Sequence, residues 1–412
     1  MKNKLLYFPY LFVGFFLFNG ALYGQSIPSN LSPFLGSIEE PCGADALHKS
    51  KMQSDPLYRS KMVTYESHVK SLSQSFQPKS GTVYKIPLVV HVMSTGNALT
   101  DITDDQIRAS IKVLNEAYRK VPGGLGDGGG VDIEIEFALA VRDPNGNCTN
   151  GINRIDMTGN STYMASGVKR KATGSGITDA SLKQEIVWNT NDYYNIWVIS
   201  EIDDNNGGSG VQGYAYLAGA HGAVYDGTVI LSNSFKNPNA TALIHELGHA
   251  LNLYHTFEGD DEGDNCPPNA SCSTEGDLVC DTPPHIRTSG WDCSYTANTC
   301  DGNSSSGLHL HNYMDYSSSA CQNMFTVGQK ARVITALTTT RSSFLESNGN
   351  MSLVPVGPAI VDFTATKSIV CSGQTVKFID QSACSPNTFL TNSDWIQRTN
   401  LQSLQMALLL SV

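Results

Sequence analysis

Residues 245–255 read HELGHALNLYH, and no other stretch constrains the fold of this chain as tightly. His245 and His249 are four apart, a spacing that places both imidazoles on one face of a helix, one turn above the other. His255 does not fit that helix. Six further helical residues would carry it about 9 Å along the axis from His249, too far to share one ion bound at about 2 Å. If the three rings are to meet, the helix must stop between them and the chain must turn back. Asn252 is placed to stop it, because asparagine, after glycine, most readily accepts left-handed backbone.

Three neutral imidazoles suit zinc and leave a fourth position open for water. Glu246, next to the first histidine, can stand beside that water without binding the metal, as a general base. The competing reading is an ordinary amphipathic helix with satisfied polar groups. A third ligand could also come from Glu258, Glu262 or Glu275, but His255 makes that unnecessary. His91, His221, His285, His309 and His311 lack ligand spacing and read as ordinary polar residues.

The chain has 412 residues, enough for one medium domain with flanking segments. Met1-Lys2-Asn3-Lys4 precedes the apolar run LLYFPYLFVGFFLF, which reads as a signal peptide over 1–24. The mature protein is then expected to be secreted, with no membrane insertion after signal removal. Export permits disulfides, and Cys266, Cys272, Cys280, Cys293, Cys300 and Cys321 crowd one irregular segment. No CxxC pair occurs, which argues against a zinc finger. The net charge of -11 without a basic stripe argues against a nucleic-acid partner. Acids cluster at EGDDEGDN and STEGDLVCD, either as solvated loops or as a calcium site.

Residues 25–80 are polar and proline-rich, with one helix-like run, SDPLYRSKMVTYESHVKSL, and read as a prosegment. Over 81–347 the pattern is that of an α+β catalytic domain. VYKIPLVVHVM is a strand, Thr103 and Gln106 form a capping box for a helix with an apolar stripe, and VDIEIEFALA, YYNIWVISEI, GYAYLA and GTVILSN read as further strands. ASLKQEIVW reads as a short helix. Residues 348–412 are a linker followed by a strand-like alternation too short to close a sandwich.

HELGHALNLYH together with HNYMDYSSSACQNMFTVGQ (311–329) resembles the metzincin metallopeptidases, and within them the pappalysin family. The resemblance implies a zinc-dependent endopeptidase acting on proteins or peptides and made as a zymogen. Its expected fold is a metzincin-type zincin domain: a twisted mixed sheet with helices above and an irregular, disulfide-stapled lower subdomain. A partial β-sandwich resembling a PKD module would follow. Metzincins carry glycine at the position of Asn252, where this chain departs. Met314 matches the methionine beneath the metal, and Tyr316 the tyrosine that steadies the oxyanion.

GDLVCDTP resembles a family stretch associated with calcium, which makes Asp277, Asp281 and Thr282 candidate ligands. The family also implies disulfides Cys293–Cys321 and Cys300 with Cys266 or Cys272, Cys280 taking the one left over. PCGADALH resembles the start of the family prosegment, so the Cys42 thiolate is a candidate to block the open zinc position; a Cys42–Cys148 disulfide is the alternative. A monomer is expected. The rival reading of the whole is a secreted adhesive protein with a structural or degenerate zinc site.

Overall fold

The computed structural model describes residues 41–72, 81–171, 173–345 and 353–355, and the backbone of 363–365 and 378–380. The expected signal peptide and most of 348–412 lie outside the described residues. α1 (Ala44–Ser54) leads into α2 (Pro56–Leu72). Asp55 begins α2: its Oδ1 accepts from the backbone N–H groups of Leu57 and Tyr58, each at 3.0 Å, with Pro56 in the first turn where no N–H is needed. Tyr58, Met62 and Tyr65 then recur on one face and are buried. The two helices are therefore docked on the domain that follows. Each such side chain contributes on the order of 2 kcal/mol of burial.

β1 (Tyr84–Ser94) is the central strand, and α3 (Asp104–Tyr118) follows with the Thr103–Gln106 capping box formed reciprocally. Next come β2 (Ile135–Leu139), β3 (Ile152–Asp156), α4 (Ser161–Ser166), β4 (Val168–Lys169), β5 (Ile177–Thr178) and α5 (Asp179–Glu185). β6 (Tyr194–Ile199), β7 (Gly213–Ala215), β8 (Thr228–Leu231), α6 (Ser232–Phe235), α7 (Ala242–Ala250) and α8 (Val327–Thr338) complete the domain. The main sheet runs β2-β1-β6-β8-β7, with β3 also paired to β1. All pairs are parallel except β7–β8, which is antiparallel and leaves β7 as an edge. This is the expected mixed sheet.

The pleat of β1 sends Ile86, Leu88, Val90 and Val92 to a core shared with Ile107, Ile111 and Leu114 of α3 and Leu243, Ile244 and Leu247 of α7. Trp197, Ile199, Val229 and Leu231 face the other way, in one cluster with Tyr214, Leu217 and the α2 residues Tyr58 and Met62. Thus α7 packs under one face of the sheet and α2 on the other.

From Asn252 to Thr326 the chain is nearly free of helix and strand, with only short 3-10 turns. Disulfides Cys266–Cys300, Cys272–Cys280 and Cys293–Cys321 join it, in agreement with the implied pairing. The Cys42–Cys148 alternative is overturned. Cys42 is a free, buried thiol, whereas Cys148 is disulfide-bonded. Near the C-terminus β9 (Phe363–Ala365) and β10 (Phe378–Asp380) pair antiparallel.

Candidate active site

α7 ends as the histidine spacing requires. Asn252 has φ 70°, and the N–H groups of Asn252 and Leu253 donate to the carbonyls of His249 (2.8 Å) and Gly248 (2.9 Å). This crossed pair is the Schellman closure, with asparagine in the left-handed position usually held by glycine. Its buried side chain repays part of the backbone strain, because Oδ1 accepts from the Ala218 N–H at 3.3 Å. The reversal brings His255 back beside the helix.

The three Nε2 atoms lie 3.0 Å (His245–His249), 3.1 Å (His245–His255) and 3.1 Å (His249–His255) apart. Every Nδ1 is engaged elsewhere: His245 with the Tyr313 carbonyl at 2.7 Å, His249 with the Leu253 carbonyl at 2.8 Å, His255 with Asp45 Oδ2 at 2.9 Å. Carbonyl and carboxylate oxygens only accept, so each ring carries its proton on Nδ1 and turns a lone pair from Nε2 toward the same point. Three lone pairs with no proton between them repel, and a cation resolves this. Tetrahedral zinc would set the nitrogens about 3.3 Å apart, close to the spacing present. The residues therefore fit the metal. Burial holds His245 down to about 3 and holds His249 well below its ordinary value, so both rings are neutral.

Glu246 is 1% exposed and its Oε2 has no hydrogen-bond partner in the protein. Burial pushes its carboxyl up to about 8, against the opposing pull of the neighbouring Cys42 thiol and of the Arg170 charge. It faces β7: a Cβ on Gly213 would lie 3.2 Å from Glu246 Cγ and 3.3 Å from Oε1. A glycine at this edge leaves room for the carboxylate beside any chain lying along the strand.

Met314 is fully buried with its sulfur against Gly248, where a Cβ would collide with it. That contact explains the glycine between His245 and His249. Tyr316 is 6% exposed, its ring 4.8 Å from His255 and 5.8 Å from His245.

Cys42 joins this group: its Sγ and one nitrogen from each of the three histidines all lie within 4.8 Å of one another. Burial, then the Glu246 charge, raises the thiol well above its ordinary value. The segment is stitched to β7, the Gln212 N–H donating to the Pro41 carbonyl at 2.7 Å and the Gly43 N–H to the Gly213 carbonyl at 3.1 Å, in parallel orientation. Asp45 and its bond to His255 were missed in the sequence. An acid three residues after a cysteine carries no ligand periodicity, and only the docking of α1 reveals it.

The calcium candidates are not gathered. Thr282 donates its hydroxyl to Asp277 (2.8 Å to Oδ2), whereas Asp281 accepts from Thr326 Oγ1 at 2.7 Å and from the Gly328 N–H at 2.8 Å, at the start of α8. Among the described residues, the other group able to hold an ion is Asp45, His255 and Glu258.

With this geometry in view, comparison with known proteins gives a consistent result. Residues 176–338 match the peptidase M43 family model described as pregnancy-associated plasma protein-A. An extracellular metalloprotease of Arthroderma otae is 28% identical over 262 residues, 61% of this chain and 77% of its own. One from Sordaria macrospora is 25% identical over 327 residues, 76% of this chain and 93% of its own. Among solved structures, a promirolysin mutant from Tannerella forsythia matches with a TM-score of 0.56 at 28% identity, over 74% of this chain and 96% of that one. Mature mirolysin in complex with a cleaved peptide matches with a TM-score of 0.51 at 29% identity, over 66% of this chain and 99% of that one.

Proposed function

We propose, for a chain that belongs to the pappalysin family of zinc-dependent metalloendopeptidases, that His245, His249 and His255 hold the catalytic zinc and Glu246 is the general base. The observation that carries this is the convergence of three Nε2 lone pairs whose Nδ1 protons are all committed elsewhere. Bound there, zinc supplies an electrophile that polarises the peptide carbonyl and acidifies the attacking water. Glu246 takes the proton from that water at its carboxylate and delivers it to the departing amine. Tyr316 donates a hydrogen bond to the oxygen on which negative charge develops. Met314 and Asn252 support the ligands, one by packing under Gly248 and the other by turning the chain.

Residues 25–80 are proposed as a prosegment and 81–347 as the catalytic domain. The match to the proenzyme of mirolysin covers more of this chain than the match to the mature form, by about the size of the segment bearing α1 and α2. Cys42 closes the fourth zinc position in this reading, and its neighbours cover the β7 edge. Protein or peptide substrates follow from the family. Secretion, and a monomeric state, are further parts of the proposal: relatives are named extracellular, and no described helix is long and apolar enough to cross a membrane. Of the calcium candidates Asp277, Asp281 and Thr282, only Asp277 and Thr282 meet, their buried oxygens 2.8 Å apart, and a calcium ion is proposed there. Adding calcium should raise the melting temperature, and an unchanged melting curve removes this part.

A structural zinc site would not need Glu246, and a buried carboxylate oxygen left without a partner there favours catalysis over adhesion. Glu246→Ala in protein processed near residue 80 should keep one zinc per chain and lose cleavage of denatured protein, by about a hundredfold or more. Undiminished cleavage by the variant would reject the mechanism.

A further inference from the structure

Behind the zinc ligands, the loop from Asn252 to Tyr254 meets α2 and α8 around one carboxylate. Glu66 on α2 receives Arg332 of α8 through both oxygens, Nη2 to Oε1 at 2.8 Å and Nη1 to Oε2 at 3.1 Å. The same Oε1 accepts from the Tyr254 hydroxyl and the Asn252 Nδ2, each at 3.4 Å. The Arg332 side chain is only 3% exposed. The rings of Tyr65 and Tyr254 face its guanidinium at 5.5 and 5.4 Å. Its Nη2 also reaches the Asn252 carbonyl at 3.4 Å, and its Nε has no hydrogen-bond partner. Asp277 is another carboxylate that feels its charge.

Four donors from three residues thus surround one carboxylate, with the planar fork of arginine matched to its two oxygens. This differs from a surface ion pair, where water competes for both partners. Arg332, Tyr254 and Asn252 lie in the catalytic domain, while Glu66 and Tyr65 lie in the segment assigned above as the prosegment. Removing that segment takes away the carboxylate and one aromatic wall but leaves the donors in place. A guanidinium stripped of its partner in a partly enclosed setting is costly, so an anion of the same shape is favoured there.

We propose that Arg332, Tyr254 and Asn252 form a carboxylate-binding site, occupied by Glu66 in the full-length chain and open in the processed enzyme to an acidic side chain of a peptide. The proposal rests on residues 25–80 being a removable prosegment. It concerns a site separate from the zinc position, because the occupant reaches the loop between the ligands from the side of α2. It adds to the enzyme a second point of contact with acidic chains and gives the prosegment an anchor independent of Cys42.

The test uses processed, zinc-loaded enzyme and a fluorescent peptide covering residues 56–72. That peptide lacks Cys42, so its binding reports on this site whatever the state of the latency mechanism. Saturable binding is expected, weakened roughly tenfold or more by Glu66→Gln in the peptide. Unlabelled peptides bearing glutamate should compete, and their glutamine counterparts should not. Arg332→Gln in the enzyme should erase the difference between the two peptides. If that variant fails to fold, the peptide substitution decides the matter on the unaltered enzyme. Equal affinity of the Glu66 and Glu66→Gln peptides, or no binding of either, overturns the site while leaving the prosegment assignment intact. A failed prosegment assignment would show itself differently, as full activity of the uncleaved chain.

Discussion

Asn252 carries a φ of 70° in a fully buried turn, and its side chain joins three parts of the molecule. Oδ1 holds the Ala218 N–H near the end of β7, Nδ2 reaches Glu66, and the backbone closes α7. Asn252→Ala keeps none of the side-chain bonds and puts a Cβ in left-handed backbone, at a cost of roughly 2 kcal/mol. Asn252→Gly relieves the backbone and loses only the hydrogen bonds, so it should fall within about 1 kcal/mol of the parent. Urea unfolding of the three proteins, with zinc content measured alongside, checks this ordering. If alanine were tolerated as well as glycine, the left-handed turn would not be what fixes His255. The departure from the family glycine is therefore a substitution by the next residue able to make the same turn.

At the level of elements, much of the frame was legible in the sequence. The Thr103–Gln106 box and the stripe of Ile107, Ile111 and Leu114 located α3, and dense apolar runs located β1 and β6, because local chemistry and burial agree there. β7 is shorter than GYAYLA suggested, since pairing with β8 stops at Ala215 where the chain turns toward Ala218. α1 carried no signal: its buried face touches other elements only through Ala44 and a few half-buried side chains. Long-range ion pairs were equally hidden. Arg341, fully buried, donates to both oxygens of Asp226 at 2.6 and 2.9 Å and through Nε to the Ala250 carbonyl at the end of α7. Nothing in either local sequence announces a partner 115 positions away.

That pair gives the elements a pH dependence. Burial alone would raise the Asp226 carboxyl, but the Arg341 charge and its two hydrogen bonds, with the His221 ring 3.7 Å away, outweigh it and hold it at about 2. The folded value lies below the unfolded one near 4, so the contribution is complete above pH 4 and disappears as pH falls toward 2. It amounts to roughly 2 kcal/mol. Urea unfolding of zinc-free protein between pH 5 and 2 should show this loss, and Asp226→Asn should flatten it. A parent and variant with parallel pH profiles would contradict the assignment.

For the whole molecule, the docking of α1 and α2 matters most. Cys42 sits among the three histidines, Asp45 holds His255, Tyr225 donates to Asp55 at 2.5 Å, Lys51 lies 3.4 Å over the Tyr225 ring, and Lys61 reaches the His221 carbonyl. With so many attachments, the thiol is one restraint among several. Full-length Cys42→Ser should hydrolyse a short fluorogenic peptide faster than the parent but well below the processed enzyme. Rates equal to the parent would remove the thiol from the latency mechanism. Rates equal to the processed enzyme would make it the sole restraint.

The seam between Pro41–Gly43 and β7 also bears on diet. Were processing to vacate it, the exposed rim would offer backbone partners that read no side chain, and only a strand able to leave its own fold could join it. A compact victim keeps its strands engaged and presents little to seize, whereas a loosened or heat-damaged one presents many places at once. Choice among targets would then follow how far each has come undone more than what its letters spell.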